Sequence, residues 1–372
     1  MSKTYKKLAT ILCSSFILLT LMMCFCSVDA SAAVKTKLKN GTYTVSGKGA
    51  MKKSQIPSKS KKLKIKKIVI KSGVKSIPAR AFAECEYLES VKIPKTMTKI
   101  PNYAFGWCPN LGSVNFHDKL TAIGTMAFYG SYFEDECFSF PDSLVSIGDQ
   151  AFAGSRALEF KLSPNTKKIG PEAFDANLAG EKVKVILPGD FVFSGGSEEL
   201  SETLVAETVE FNTPVTDINT FNVIRARNII VSDSDENYAS IDGVVYSKDK
   251  KTIIRVPSNR YMLTVAEGCE TFPLSAVTYT NKSGNDGDDG IYGSYESSPL
   301  VCKYLSKITL PESLNKVTID ENAVKESEWS KIIPKWMERK YEVHILSKSL
   351  SDTDLDNLAK GLNTDKSRFL YN

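Results

Sequence analysis

The stretch Val91-Lys92-Ile93-Pro94-Lys95-Thr96-Met97-Thr98-Lys99-Ile100-Pro101-Asn102-Tyr103-Ala104-Phe105 decides the fold. Ile93 stands two residues after Val91, Met97 six after it and Ile100 nine after it, and Ala104-Phe105 closes the unit. Upstream, Ile68, Ile70, Val74 and Ile77 lead at the same spacing to Ala81-Phe82. Downstream, Val114, Phe116, Leu120 and Ile123 lead to Ala127-Phe128. Then Phe138, Phe140, Leu144 and Ile147 precede Ala151-Phe152, and Phe160, Leu162, Thr166 and Ile169 precede Ala173-Phe174. Successive Ala-Phe pairs are 23, 23, 24 and 22 residues apart. Three further frames lie outside this array: Val209, Phe211, Val215, Ile218; then Leu263, Val265, Cys269, Phe272 with Ala276-Val277; and Ile308, Leu310, Leu314, Val317. The stretch Val185 to Leu187 reads as a degenerate coil.

The spacing has a physical meaning. Apolar residues two apart face the same side of a short strand. Pro94, Pro141 and Pro311 follow where a strand ends and a ladder donor is no longer needed. The later apolar positions require a turn and a return stretch facing the same interior. One such coil cannot bury its own apolar side, whereas stacked coils share a continuous core. About ten coils of ~23 residues, at roughly 4.8 Å each, predict a solenoid on the order of 50 Å long.

This frame resembles that of the BspA-type leucine-rich-repeat proteins of bacterial surfaces. Two other segments carry the resemblance. Gly41-Thr42-Tyr43-Thr44-Val45-Ser46-Gly47-Lys48-Gly49-Ala50-Met51 is similar to the segment that opens such solenoids. Tyr238-Ala239-Ser240-Ile241-Asp242-Gly243-Val244-Val245-Tyr246-Ser247-Lys248-Asp249 is similar to a hairpin inserted between coils. The resemblance covers about residues 41 to 325 and implies an α/β solenoid of leucine-rich-repeat type. It also implies a secreted or surface-displayed adhesion or binding protein without a catalytic motif. The frame lost after Pro188, the insert near Gly284 to Gly293 and the C-terminal tail depart from the pattern.

The expected organisation has five segments. Residues 1-32 read as a secretory signal peptide: Lys3, Lys6 and Lys7, an apolar run from Leu8 to Val28, then Ala30-Ser31-Ala32, with cleavage after Ala32. An uncleaved anchor is the alternative, since the run is about long enough to span a bilayer; lipidation at Cys24 or Cys26 is disfavoured by the large Met23 and Phe25 before them. Residues 33-67 form a basic N-terminal cap and 68-188 a regular solenoid. Residues 189-324 hold degenerate repeats with a hairpin at 238-257 and a Gly/Asp-rich loop at 281-293. Residues 325-372 form a C-terminal cap. There, Trp329, Ile332, Ile333 and Trp336 have helical spacing that Pro334 interrupts. A strand-like run from Tyr341 to Leu346 follows, then a helix starting at Ser351-Asp352 with Leu355, Leu358 and Leu362 on one face.

Composition is that of an ordinary globular chain, 42% apolar and 24% charged, which excludes wholesale disorder. Charge is unevenly placed. Between Ala33 and Ala83 stand fourteen lysines and Arg80 with no acid, while residues 84-372 hold 30 basic and 42 acidic residues. Such a basic block suits a polyanion, through Lys52, Lys53, Lys59, Lys61, Lys62, Lys64, Lys66 and Lys67; a solvated cap with no partner is equally compatible. An anionic cell-wall polymer fits better than nucleic acid, because no base-stacking module accompanies the lysines.

No residue set points to chemistry. Cys85, Cys108, Cys137, Cys269 and Cys302 are odd in number and lack C-x-x-C or zinc spacing. Cys85 and Cys108 share a small-residue column with Ser131, Ser155 and Asn177, and Cys269 fills a core slot. His117 and His344 read as surface residues without a nucleophile at motif spacing. Counted as an EF-hand from Asp286, the acidic loop puts Gly290 at ligand position 5 and Ser297 at position 12, so it reads as a loop rather than a calcium site. No metal, cofactor or catalytic residue is expected. An enzyme, or an accessory chain for one, would require a polar cluster in the inserts at 189-206 or 279-301. The expected contact surface for an unknown protein or glycan partner is the outward strand face: Lys92, Asn115, Ser139, Lys161, Glu210, Thr264 and Thr309, with Val69 heading the column.

Overall fold

Each frame forms one turn of a three-sided β-solenoid of about eleven turns. The computed structural model describes residues 33–133, 137–175, 183–193, 204–280, 299–301, 305–318, 342–362 and 366–371. The signal-peptide segment, Asn177, the Gly/Asp-rich loop, Cys302 and the Trp329 to Trp336 stretch lie outside these.

The first side is a parallel ladder carrying the two leading apolar residues of each frame. Ile68, Val91 and Val114 stand in register. So do Phe138, Phe160, Val185, Val209 and Ile229, and again Leu263, Ile308, Val343 and Phe369. The second side is the return stretch, where Ile100, Ile123, Ile147, Ile169 and Phe193 align in a five-stranded parallel sheet.

The third side is built from turns. Arg80, Tyr103, Met126, Gln150 and Glu172 have φ between 49 and 58°, and Glu84, Trp107, Gly130 and Gly154 have φ between 55 and 73°. Backbone bonds alternate across each turn. The N–H groups of Arg80, Phe82 and Glu84 donate to the carbonyls of Asn102, Ala104 and Gly106 at 3.1, 3.0 and 2.9 Å. Those of Ala81 and Ala83 donate back to Pro78 and Arg80 at 3.3 Å each. The left-handed residues cost about 1–2 kcal/mol each, and the coil-to-coil bonds they aim offset part of that. The Ala-Phe pair now has a cause. Alanine is the side chain that fits inside the tight turn, and its Phe partners stack through the core. Ring centroids from Phe82 through Phe105, Phe128 and Phe152 to Phe174 are 5.9, 5.6, 5.3 and 5.9 Å apart.

Helix is therefore scarce, and the α/β expectation is corrected to a β-solenoid: among the described residues the α-helices are Lys59–Lys62 and Asp352–Gly361. Ile218 was expected in the core but is 49% exposed, because a 3-10 helix, Ile218–Val223, buries Phe221 there instead. The coil at Val185 is not degenerate in space, since Lys184–Leu187 joins the ladder in full register. Three rungs lacked a legible frame: Asn228–Ile230, Glu342–Ile345 and Phe369–Tyr371.

The inserted hairpin joins two cores. Tyr238–Ile241, Val244–Ser247 and Ile253–Arg255 form a three-stranded antiparallel sheet around a turn at Asp242 and Gly243, with φ of 48 and 72°. Val245 packs into the first core, while its neighbours Val244 and Tyr246 pack into the second. Arg260 fastens this junction by binding both the backbone oxygen and the carboxylate of Asp242. At the N-terminal end, Lys35–Lys39 pairs antiparallel with Thr42–Ser46, which begins the parallel ladder on Lys67–Ile70. Outward lysines at 35, 37 and 39 suit an edge strand that must not recruit another.

Candidate recognition surfaces

The strand face is where the sequence placed it, but it is less uniform than expected. Lys92, Asn115, Ser139, Lys161 and Thr264 are exposed, whereas Glu210 and Thr309 are half-buried. Ser139, Lys161, Ile186, Glu210 and Ile230 share one outward column, so two isoleucines interrupt the polar row. Asn115 is engaged by the backbone, its amide accepting from the Ile93 N–H at 2.7 Å and donating to the Ile93 carbonyl at 3.1 Å. In the neighbouring column Lys184 sits between Glu210 at 2.7 Å and Glu159 at 3.7 Å. The bond to Glu210 raises the Lys184 pKa. The Glu159, Lys184 and Glu210 triad is electrostatically self-satisfied.

Pairing between adjacent coils is the general habit of the solenoid. Lys95 meets Asp118 at 2.8 Å, Lys167 meets Asp190 at 2.6 Å, Arg227 meets Glu207 at 3.1 Å and Lys251 meets Glu270 at 2.8 Å. The basic cap departs from it. Lys52, Lys53, Lys59, Lys61, Lys64 and Lys67 are exposed and make no ion pair among the described residues. Two of the eight expected polyanion contacts are otherwise employed. Lys62 donates to the Ala83 carbonyl at 2.6 Å, tying the cap to the first coil, and Lys66 pairs with Glu89 at 3.4 Å.

The candidate reactive groups are structural. Cys85, Cys108, Ser131 and Ser155 form the buried column read from the sequence. Cys108 and Ser131 each donate to the frame phenylalanine carbonyl one coil back, Phe82 at 3.3 Å and Phe105 at 3.2 Å. Burial, then the neighbouring Cys85, raises the Cys108 thiol well above its ordinary pKa, and burial raises Cys269. Cys137, unplaced by the frame, is exposed on the strand face and bonded to Glu159, which raises its pKa and keeps it a thiol. His117 was expected at the surface and is instead buried. It stands where other coils have proline, and its Nδ1 accepts the Lys119 N–H at 3.2 Å. His344 joins the outward column beside Thr309 and contacts Glu342. Among the described residues no His, Cys, Asp or Glu cluster has metal-site geometry, and no helix is long and apolar enough to cross a membrane.

The turn side holds a feature that the sequence reading missed. Arg80 stacks over Tyr103 with its guanidinium carbon 4.0 Å from the ring centroid. Tyr103 lies within 10° of parallel to Trp107 at 6.0 Å, and Trp107 meets Tyr129 at 5.2 Å. Arg156 stacks over Tyr132 at 4.3 Å. Trp107 is 40% exposed and Tyr132 38%. Beside this stripe runs a shallow trough of about 430 Å³, lined in part by Lys99, Asn102, Thr125 and Ser146. Its Gly124 and Gly148 have no room for a side chain: a Cβ would lie 2.4 Å from Asn102 Oδ1 and from the Thr125 nitrogen, respectively. The available signal was positional. Arg80 and Tyr103 immediately precede the Ala-Phe pair and Trp107 follows one by two residues, but the frame tracked only inward positions.

Comparisons place this geometry among known proteins. Residues 55–181 match the model of the BspA type leucine rich repeat region in six copies. None of the curated proteins compared matches the chain. Among solved structures, a leucine-rich repeat protein from Eubacterium ventriosum is 18% identical, with 86% of this chain and 71% of that one covered and a TM-score of 0.38. A leucine rich cell surface protein from Faecalibacterium prausnitzii is 18% identical, with 86% and 76% covered and a TM-score of 0.40. The pneumococcal vaccine antigen PcpA is 20% identical, with 87% and 70% covered and a TM-score of 0.39. Residues 55–181, which include the coils whose Ala-Phe turns stack on the third side, are thus a BspA-type leucine-rich-repeat region.

Proposed function

We propose that the chain is a secreted or surface-displayed bacterial protein that binds a protein or glycan partner without transforming it, using the solenoid as its recognition scaffold. One observation carries this reading. The interior of the coils is filled by stacked phenylalanines and aliphatic columns, so recognition falls to the long outer sides, as in other solenoids. The family of residues 55–181 supports the same class of function. The test is saturable binding of residues 33–372 to arrays of glycans and extracellular proteins, scored alongside hydrolysis of the same panel. Binding without turnover is expected, and turnover of any member would overturn the non-catalytic reading. Charge reversal at Lys92 and Lys161 should weaken binding if the strand face is used.

The six exposed cap lysines that make no ion pair among the described residues favour a second role, retention on anionic wall polymers. Co-sedimentation of residues 33–372 with purified cell walls across a salt series measures it. Release by salt, and by neutralising Lys52, Lys53, Lys59 and Lys61, is expected. Failure to sediment at low salt would remove the retention role and leave the binding role intact.

A further inference from the structure

The arginines of the first half of the solenoid are not scattered. Between Ala33 and Ile224 the chain has two, Arg80 and Arg156, in a segment otherwise supplied with lysine. Both lie on the turn side, both are exposed, and both ride on a tyrosine ring, Tyr103 and Tyr132. Neither has an acidic partner among the described residues, although coil-to-coil ion pairs are common elsewhere. A guanidinium stacked on an aromatic face is held in place with its edge donors outward, which suits bidentate capture of a carboxylate and which a lysine does not reproduce. Three coil steps separate the two arginines along the axis, about 14 Å at the strand spacing, and they flank the turn side, Arg80 two residues before Phe82 and Arg156 four after Phe152. The two intervening coils present Trp107 and Tyr129, large amphipathic rings suited to stacking on flat faces.

We propose that this stripe binds a linear acidic glycan, a uronic-acid-type chain crossing the turn side obliquely from coil to coil. Arg80 and Arg156 receive carboxylates of separate sugars, and Trp107 and Tyr129 receive the C–H faces of the intervening rings. Arg80, Trp107, Tyr129 and Arg156 stand one on each of four successive coils, an extended line that suits a polymer over a globular partner. The adjoining trough is mostly apolar, with Ile100, Pro101, Ala122 and Ile147 beside the polar Asn102 and Thr125, which suits the C–H faces of such a chain. The proposal rests on the reading of the solenoid as a recognition scaffold and specifies which side of it is used.

The experiment is calorimetric titration of residues 33–372 with polygalacturonate oligomers, with neutral glucan oligomers and polyphosphate as comparators. The uronate chain should bind and the glucan should not. Trp107→Ala, Arg80→Lys and Arg156→Lys should each weaken uronate binding at least tenfold while melting like the parent, as expected for exposed side chains. A variant with Lys52, Lys53, Lys59 and Lys61 changed to Gln should bind uronate normally. No uronate binding would overturn the proposal, as would binding that follows the cap lysines and ignores Trp107. Loss on Lys92→Glu and Lys161→Glu with Trp107→Ala silent would overturn it too, while leaving the scaffold reading in place on the strand face.

Discussion

Tyr246 shows how much one residue must satisfy where the two cores meet. Its ring is wholly buried, and its hydroxyl accepts the Ala266 N–H at 3.0 Å. Burial pushes its pKa up to about 12. The fold therefore favours the neutral phenol, so its contribution is complete below the ordinary tyrosine value near 10 and is lost as pH rises toward 12. That difference corresponds to on the order of 2–3 kcal/mol. Denaturant midpoints measured from pH 9 to 12 should fall less steeply for Tyr246→Phe than for the parent. The variant should begin about 1 kcal/mol lower at neutral pH through loss of the Ala266 bond; parallel curves would show that Tyr246 does not carry the alkaline response. Phe128 tests the ring stack in the same way. It contacts Phe105 at 5.6 Å and Phe152 at 5.3 Å, and Phe128→Ala should cost about 3–5 kcal/mol by equilibrium denaturation.

At the scale of elements, legibility followed direction. Inward positions obey the frame because an interior rung has nowhere else to go. Ile68, Val91, Met97 and Ile100 were therefore readable, and so were the buried Leu358 and Leu362 of the C-terminal helix. Outward positions answer to their neighbours one coil away, which a single frame does not display. The Lys184 triad, the Asn115 bridge and the Arg80 stack were missed for that reason. The α/β expectation came from the resemblance, and the sequence itself shows only that the chain must return. The alternation of left-handed residues that makes a turn suffice is a backbone property shared there by Arg, Tyr, Met, Gln and Glu. The helix Asp352–Gly361 does follow its local signals. Ser351 Oγ accepts the Asp354 N–H at 3.1 Å, and Asp354 accepts the Ser351 N–H at 3.0 Å. Ser351→Ala should lower stability by about 1 kcal/mol, read as a shift in denaturant midpoint.

For the whole molecule, stability in a solenoid is close to a sum of contacts between neighbouring coils. Leu358, Leu362 and Phe369 cover the last part of the second core. Deleting residues 350–372 should lower the melting temperature by several degrees and raise binding of a hydrophobic dye; an unchanged melt would show that the segment is not a cap. The charge asymmetry belongs to this scale as well. The basic segment sits beside an acidic body, and salt screens its exposed lysines before it reaches shorter, partly buried pairs such as Lys184 with Glu210.

The hairpin at Tyr238–Ile241 and Val244–Ser247 bears on how such a chain changes over generations. Within the regular array each rung meets a near copy of itself above and below, so duplication or loss of one unit leaves both new neighbours compatible. At the hairpin, Val245 faces one core and Val244 and Tyr246 the other, so the two flanks are not interchangeable. Lineages descended from such a gene should vary in length by whole units before this splice and keep the splice itself as a single inherited block.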